Sequence, residues 1–202
     1  FTATAKFQNA IAATAGSGNC AQTVGSNAGV VVTASGGKCF VAFTDTSPNT
    51  WTVPTGLNSL DLLVIGGGGA GGTTAWAGGG GAGELVIKTG YSVTPGNVVS
   101  ISVGAGGASG TINLTPSSAT RSTNGSNSWV GSSTDLVAVG GGAGASYGYG
   151  SGDSNNVKGR DGGSGGGSSE FNSVITGGAT SSTTSGTRTG YGNNGGSGTN
   201  TG

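Results

Sequence analysis

The chain has 202 residues, of which 48 are glycine, and its seven basic and seven acidic side chains cancel to a net charge of zero. This balance does not suggest the basic surface typical of nucleic-acid-binding proteins, and no nucleic-acid partner is expected. The four prolines and the absence of a Gly-X-Y repeat also exclude a collagen-like triple helix.

The two cysteines and the first residue favour an extracellular protein. Cys20 and Cys39 would close a loop of moderate length, and their predicted disulfide would contribute on the order of 3 kcal/mol to stability. Two reduced core cysteines in a cytosolic protein are the alternative. The chain starts at Phe1, as a processed secreted protein would, although a trimmed fragment would look the same. No apolar run approaches the roughly 20 residues of a membrane span.

Residues 1–11 have the alternation of a half-buried strand. One face carries Phe1, Ala3, Ala5 and Phe7, and the other is polar. Small residues follow, so we interpret 1–19 as an N-terminal strand and linker. Its placement resembles the donor strand of extracellular pilus subunits, and the resemblance implies that it completes the sheet of a neighbouring copy. The alternative is that it is the first strand of its own domain.

The next segment predicts a β-hairpin. Residues 29–33 and 38–44 are rich in β-branched and aromatic side chains, and a Gly-Gly turn separates them. A short strand follows at 51–53, and Pro54 restricts it to an edge or an end of a sheet because proline lacks the backbone N–H.

The middle of the chain has a five-part pattern. It consists of an aromatic-x-Val-Pro strand, a strand that ends in polyglycine, a second polyglycine segment that leads into a strand, a Thr-Pro-Gly turn, and a strand that ends in Val-Gly-Ala-Gly-Gly. The parts lie at 51–54, 60–72, 78–87, 94–96 and 98–107. With looser similarity in its later part, the stretch of about residues 43–167 resembles the glycine-rich domain of bacterial surface and phage tail-fibre proteins. The resemblance implies a structural module and leaves its function open.

Short apolar strands that run into glycine recur along the chain. Together they predict an all-β fold, an antiparallel sandwich or barrel of short strands. We expect the glycine runs to pack as extended three-fold helices that exchange backbone amides, in an ordered polyglycine-like layer; mobile loops are the alternative. Trp76, Tyr147 and Tyr149 lie within glycine and would cap this layer or form an exposed aromatic surface.

Large hydrophobic residues become rare after residue 150. We therefore divide the rest of the chain into a glycine-rich β domain at 20–178 and a Gly/Ser/Thr-rich tail at 179–202. The tail is either solvated or adds glycine strands to the layer, and Phe171 and Ile175 favour the second explanation up to about Gly178.

The chain lacks the residue patterns of catalysis. Histidine is absent, so no nucleophile can pair with a histidine base, and no enzyme or cofactor is predicted. The carboxylates are scattered; Asp61 and Glu84 are expected to be solvated or to protect strand edges. Calcium-type oxygen ligands occur without the spacing of a calcium loop, at Asp153, Asn155, Asn156 and Asp161, so no metal is predicted.

Three functions are consistent with these features. The first is a structural subunit of a secreted, pilus-like extracellular filament, in which copies of the chain polymerise through N-terminal strand donation. The second is a tail-fibre or surface adhesin whose glycine layer presents loops to a cell-surface glycan or protein. The third is an ice-binding protein, because flat glycine-rich layers with threonine can order water.

Overall fold

Short strands form the β part of the computed structural model, which describes residues 9–11, 23–24, 29–35, 37–73, 76–111, 120–146, 157–169, 175–182 and 188–198. The described strands are β1 (Asn9–Ile11), β2 (Thr23–Val24), β3 (Val30–Ser35), β4 (Lys38–Phe43), β5 (Asn49–Thr52), β6 (Ser59–Ile65), β7 (Leu85–Ser92), β8 (Val98–Ser102), β9 (Ser128–Val130), β10 (Leu136–Ala138) and β11 (Arg188–Tyr191).

These strands pair into two antiparallel sheets. The larger sheet has the order β11-β7-β6-β1-β4-β3, and the smaller has the order β10-β9-β8-β5-β2. The predicted hairpin is β3–β4, in which Val30 pairs with Phe43 and Ser35 with Lys38. Its turn includes Gly37 at a φ of 74°. Positive φ is a conformation that glycine adopts without steric cost.

The alternation of side chains explains which face of each strand is buried. In β6, Leu60, Leu62 and Val64 point inward and are at most 4% exposed, while Asp61 points outward. The register with β7 shifts between Leu60 and Leu62, so Asp61 lies at a bulge. The carboxylate of Asp61 accepts a hydrogen bond from the Gly90 amide at 2.9 Å.

One hydrophobic core lies between the two sheets, which confirms the predicted antiparallel sandwich. Phe43 of the larger sheet and Trp51 of the smaller are its largest buried side chains. The core residues from both sheets and their connections are Val41, Phe43, Trp51, Val53, Leu57, Leu60, Leu62, Val64, Val86, Ile101, Val103, Val130, Leu136 and Ala138. Burial of this apolar surface is the main force that holds the sheets together.

Beyond the strand ends, the glycine runs form an ordered bundle with a three-residue period. The amides of Gly66, Gly69 and Gly72 donate to the carbonyls of an antiparallel neighbour at 2.8–3.0 Å, and these carbonyls belong to Glu84, Gly81 and Gly78. The amides of that neighbour then donate with the same step to Ala145, Gly142 and Val139. A period of three is that of a polyproline II helix, so the predicted polyglycine-like layer is present.

Close backbone contact explains why the bundle needs glycine. A Cβ added to Gly141 would overlap the carbonyl oxygen of Gly81 and come within 2.7 Å of Ala82 backbone carbon. The bundle segments, called here the glycine bundle, are 66–72, 78–84, 104–111, 120–127, 139–146, 159–169, 177–180 and 193–198.

The glycine bundle extends beyond Gly178, into the part of the chain that was predicted to be a tail. β11 pairs with β7 from Arg188↔Lys88 to Tyr191↔Leu85. The amides of Gly165 and Ser168 then donate to the carbonyls of Asn193 and Gly196 at 2.9 and 3.0 Å. Residues 193–198 pack against the bundle because glycine has no side chain, so its backbone can approach the neighbouring segments closely. The same glycine-rich composition suggests a linker when only the sequence is considered.

Candidate assembly site

The first described strand lies in the interior of a sheet that is otherwise built from later parts of the chain. β1 pairs antiparallel with β4, from Asn9↔Val41 to Ile11↔Cys39. On its other side, Ala10 pairs with Asp61 of β6. The next strand, β2, belongs to the other sheet. The position of β1 between β4 and β6, called here the β1 slot, is thus occupied by a strand that is sequentially remote from both neighbours.

The walls of the β1 slot are apolar on the side that faces the core. Val41 and Phe43 of β4 are fully buried, and Leu60 and Leu62 of β6 are nearly so. A strand in such a slot gains backbone hydrogen bonds from both neighbours and places alternate side chains against the core. The slot therefore has the properties of a site that receives an extended, alternating segment.

The proposed donor face lies outside the described residues. Phe1, Ala3, Ala5 and Phe7 belong to that part of the chain, and only 9–11 of the predicted strand are described. These three residues pair within their own chain. That arrangement matches the alternative in which the segment is part of its own domain, and donation to a neighbour stays a prediction.

Cys39 lies on β4, beside the β1 slot. It is partly buried, packs against the core, and pairs in register with Ile11 on one side and Ala34 on the other. Cys20 lies outside the described residues. The disulfide between Cys20 and Cys39 therefore stays a prediction.

Glu84 is buried at the junction of β7 and the glycine bundle, so the expectation of a solvated or edge-protecting carboxylate is wrong. Its side chain is 0% exposed. Arg188 of β11 donates from Nη2 to Oε1 and Oε2 at 3.1 and 3.2 Å and also to the Val137 carbonyl at 2.8 Å. The Val139 amide donates to Oε2 at 3.0 Å. Burial is tolerated because a cation and a backbone amide both pair with the carboxylate.

Of the three predicted aromatic residues, only Trp76 is described. It lies between bundle segments 66–72 and 78–84, and its side chain is 63% exposed. Its φ of 57° falls in the left-handed region, where a bulky residue is rare. Tyr147 and Tyr149 lie outside the described residues. Trp76 therefore contributes an exposed aromatic side chain at this turn of the glycine bundle.

A tyrosine–carboxylate pair connects the two sheets near the opposite end of β7. The Tyr91 hydroxyl donates to Asp135 Oδ2 at 2.6 Å. Burial of the phenol, followed by the hydrogen bond and the negative charge of Asp135, raises the pKa of Tyr91 well above its usual range. Both partners lie beside Gly131, whose φ is 86°. The pair links the loop between β9 and β10 to β7 of the larger sheet.

In the part of the chain that the structure describes, no three His, Cys, Asp or Glu side chains lie close enough to hold a metal ion. Asp161 is the one described member of the four oxygen ligands considered above, and its Oδ1 accepts the Ala179 amide at 2.7 Å. The described residues also contain no helix of the length and hydrophobicity that a membrane span requires.

Comparison with known proteins gives one match. The family model of the glycine-rich domain matches residues 43–202, which is most of the chain. No curated protein matches the chain. No solved structure matches it either.

Proposed function

Since the chain belongs to the glycine-rich domain family, we propose that it is a structural subunit of a secreted extracellular or cell-surface filament, which polymerises when one copy donates its N-terminal strand to the next. The partner in this proposal is a second copy of the same chain. The family match begins at Phe43, the last residue of β4, so β1, β2, β3 and most of β4 precede the matched region.

The observation that carries this proposal is the β1 slot. β1 is an inner strand, yet its connection along the chain leads to the other sheet, and both of its neighbours come later in sequence. A copy of β1 from another molecule would make the same antiparallel pairs with β4 and β6 without changing the rest of the topology. Exchange of an identical element is an energetically inexpensive route to self-association, and head-to-tail exchange produces an open filament when the rotation between copies does not close into a ring.

The larger sheet has an exposed edge strand, which is suited to contact with other copies of the chain. β3 is an edge strand, and Val31 and Val32 are 56% and 38% exposed. Unpaired backbone groups on an apolar edge strand favour contact with another chain. A donated strand and a neighbouring edge would together fix the orientation of successive subunits.

The test is a combination of deletion and rescue. The full chain is expected to form filaments in negative-stain electron microscopy, and a variant without residues 1–11 is expected to form none. A synthetic peptide of residues 1–19 should bind the deletion variant, because it fills the β1 slot. The control peptide carries Ala10→Pro, which removes a strand N–H and should bind much more weakly. Filaments of normal length from the deletion variant would contradict strand donation.

An adhesin that binds a cell-surface glycan or protein is the second candidate, and the exposure of Trp76 favours it. Exposed aromatic rings supply large contact areas in recognition sites. Trp76→Ala is expected to reduce binding to cells or to a glycan array, while Tyr191→Ala removes another exposed ring, on β11, and should have little effect. Equal losses in both variants, or no binding by the unmodified chain, would count against this candidate.

A further inference from the structure

A cavity lined with basic side chains lies on the glycine bundle, away from the β1 slot. Its volume is about 320 Å³. Among its lining residues are three of the seven basic residues of the chain. The lining, called here the basic cavity, consists of Arg121, Asn124, Lys158, Gly159, Arg160 and Asp161. A volume of this size is at the lower end of small-molecule pockets, roughly 300–1,000 Å³.

Hydrogen bonds between two remote segments hold the basic cavity in shape. Arg121 Nη2 donates to the Lys158 carbonyl at 2.9 Å, and Asn124 Nδ2 donates to the Asp161 carbonyl at 2.8 Å. The backbone of Arg160 is fixed within the glycine bundle, because its amide donates to the Ala143 carbonyl at 2.8 Å. Since the side chains of Arg121 and Asn124 are already held by these bonds, they lose little conformational entropy when a ligand binds.

The charge of the basic cavity is positive although the whole chain is neutral. Asp161 is the one acidic side chain in the lining, and its Oδ1 lies 4.0 Å from Lys158 Nζ. The Lys158 and Asp161 side chains are 51% and 59% exposed, so water and salt weaken their attraction. Three cations against one anion therefore leave an excess of positive charge.

Arg160 adds a second observation. Its Nε is buried and has no hydrogen-bond partner in the part of the chain that the structure describes. A buried N–H without an acceptor is unfavourable, and the guanidinium it belongs to lines the cavity. An oxyanion in the cavity would place acceptor oxygens beside the Arg160 guanidinium. Planar guanidinium groups bind two such oxygens at once, through two parallel N–H···O hydrogen bonds.

We propose that the basic cavity binds a small oxyanion, which is a carboxylate, sulfate or phosphate group carried by a sugar, a lipid headgroup or a free ion. Arg121 and Arg160 donate to its oxygens, and Lys158 contributes a charge at the mouth. This site is independent of strand donation, because its lining comes from residues 121–124 and 158–161 and not from the larger sheet.

The experiment measures binding of the full chain to four probes at physiological salt. Heparin is the sulfated glycan, polygalacturonate is the carboxylated glycan, inorganic phosphate is the free ion, and phosphatidylglycerol vesicles present the lipid phosphate. At least one probe is expected to bind, with an affinity that falls as salt increases. The probe that binds identifies the source of the oxyanion.

A matched pair of variants distinguishes binding in the basic cavity from non-specific electrostatic attraction to the protein. Lys158→Ala is expected to weaken binding about three- to fivefold, because it removes one partly exposed charge at the mouth of the cavity. Lys38→Ala removes the same charge from an exposed position on β4 and should change the affinity less than about twofold. Arg160→Lys keeps the positive charge but removes the planar guanidinium that can bind two oxygens at once, so it should also weaken binding. Absence of binding to every probe, or equal losses in Lys158→Ala and Lys38→Ala, would overturn the proposal.

Discussion

At the scale of single residues, Glu84 shows how one polar group can organise a largely apolar and glycine-rich region. Its carboxylate is buried, and it pairs with Arg188, whose side chain is 18% exposed. The pair joins the start of β7 to β11, which is 104 residues further along the chain. Removal of one partner from a buried pair leaves the other charge without compensation, which is strongly destabilising.

Glu84→Gln is therefore expected to lower the free energy of unfolding by about 3–5 kcal/mol. The measurement is equilibrium unfolding in guanidinium chloride, followed by circular dichroism. Asp61→Asn is the control, because Asp61 is an exposed carboxylate that also accepts a backbone amide, and its loss should cost at most about 1 kcal/mol. Similar losses in the two variants would contradict the expected cost of breaking the buried Glu84–Arg188 pair.

Tyr91 leads to a prediction at high pH. Its pKa is raised in the folded state, first by burial and then by Asp135. A raised pKa means that folding favours the neutral phenol, so this contribution to stability is complete below the unfolded pKa of about 10. It is lost as the pH rises above that value, and the chain should become less stable there.

The measurement for Tyr91 is a titration of phenolate absorbance. The ionisation step of Tyr91 is expected well above the usual range of a tyrosine, and this step should disappear in Tyr91→Phe. In Asp135→Asn the pKa of Tyr91 should fall but remain above its ordinary value, because burial is the larger cause. Ionisation of all four tyrosines near pH 10, about the value in model peptides, would contradict this prediction.

At the scale of elements, the glycine bundle depends on specific glycines and not on glycine content alone. Gly141→Ala places a methyl group against the carbonyl of Gly81, and overpacking of this kind costs about 1–3 kcal/mol or more. Gly79→Ala is the matched control in the same bundle, since an added Cβ there meets nothing within 4 Å. It should raise stability by about 0.4–1 kcal/mol, because alanine restricts the unfolded chain. Thermal unfolding of both variants tests this contrast, and equal effects would contradict it.

The sequence contains enough local information to predict most strands and the ordered glycine packing. The period of two in β6 and the Gly-Gly turn of the β3–β4 hairpin are local features. The pairing of Glu84 with Arg188 and the basic cavity depend on contacts between remote segments, which no local pattern reports. The one available signal for Glu84 is its position as a lone carboxylate between glycine and an apolar strand. Residues 193–198 have the composition of a linker. Their packing depends on bundle segments that are remote in the sequence, so it could not be predicted from the local pattern.

At the scale of the whole molecule, the predicted disulfide would decide which segment is able to leave its own subunit. A bond between Cys20 and Cys39 would keep residue 20 attached to β4, so only residues 1–19 would be free to move to a neighbour. The oxidised chain is expected to be about 3 kcal/mol more stable than the reduced chain, mainly because the loop restricts the unfolded state. Mass spectrometry of unreduced peptides and unfolding with and without reductant test this. Two alkylated cysteines in the native protein would contradict the bond.

The glycine bundle also has a consequence for the temperature dependence of stability. Its segments bury peptide groups and few apolar side chains, as the ladders from Gly66 to Val139 show. Exposure of polar surface lowers the heat capacity of unfolding, whereas exposure of apolar surface raises it. The heat capacity change per residue should therefore be smaller than in an ordinary globular protein. The resulting curve of stability against temperature should therefore be broad and flat, so that stability changes little between cold and warm conditions.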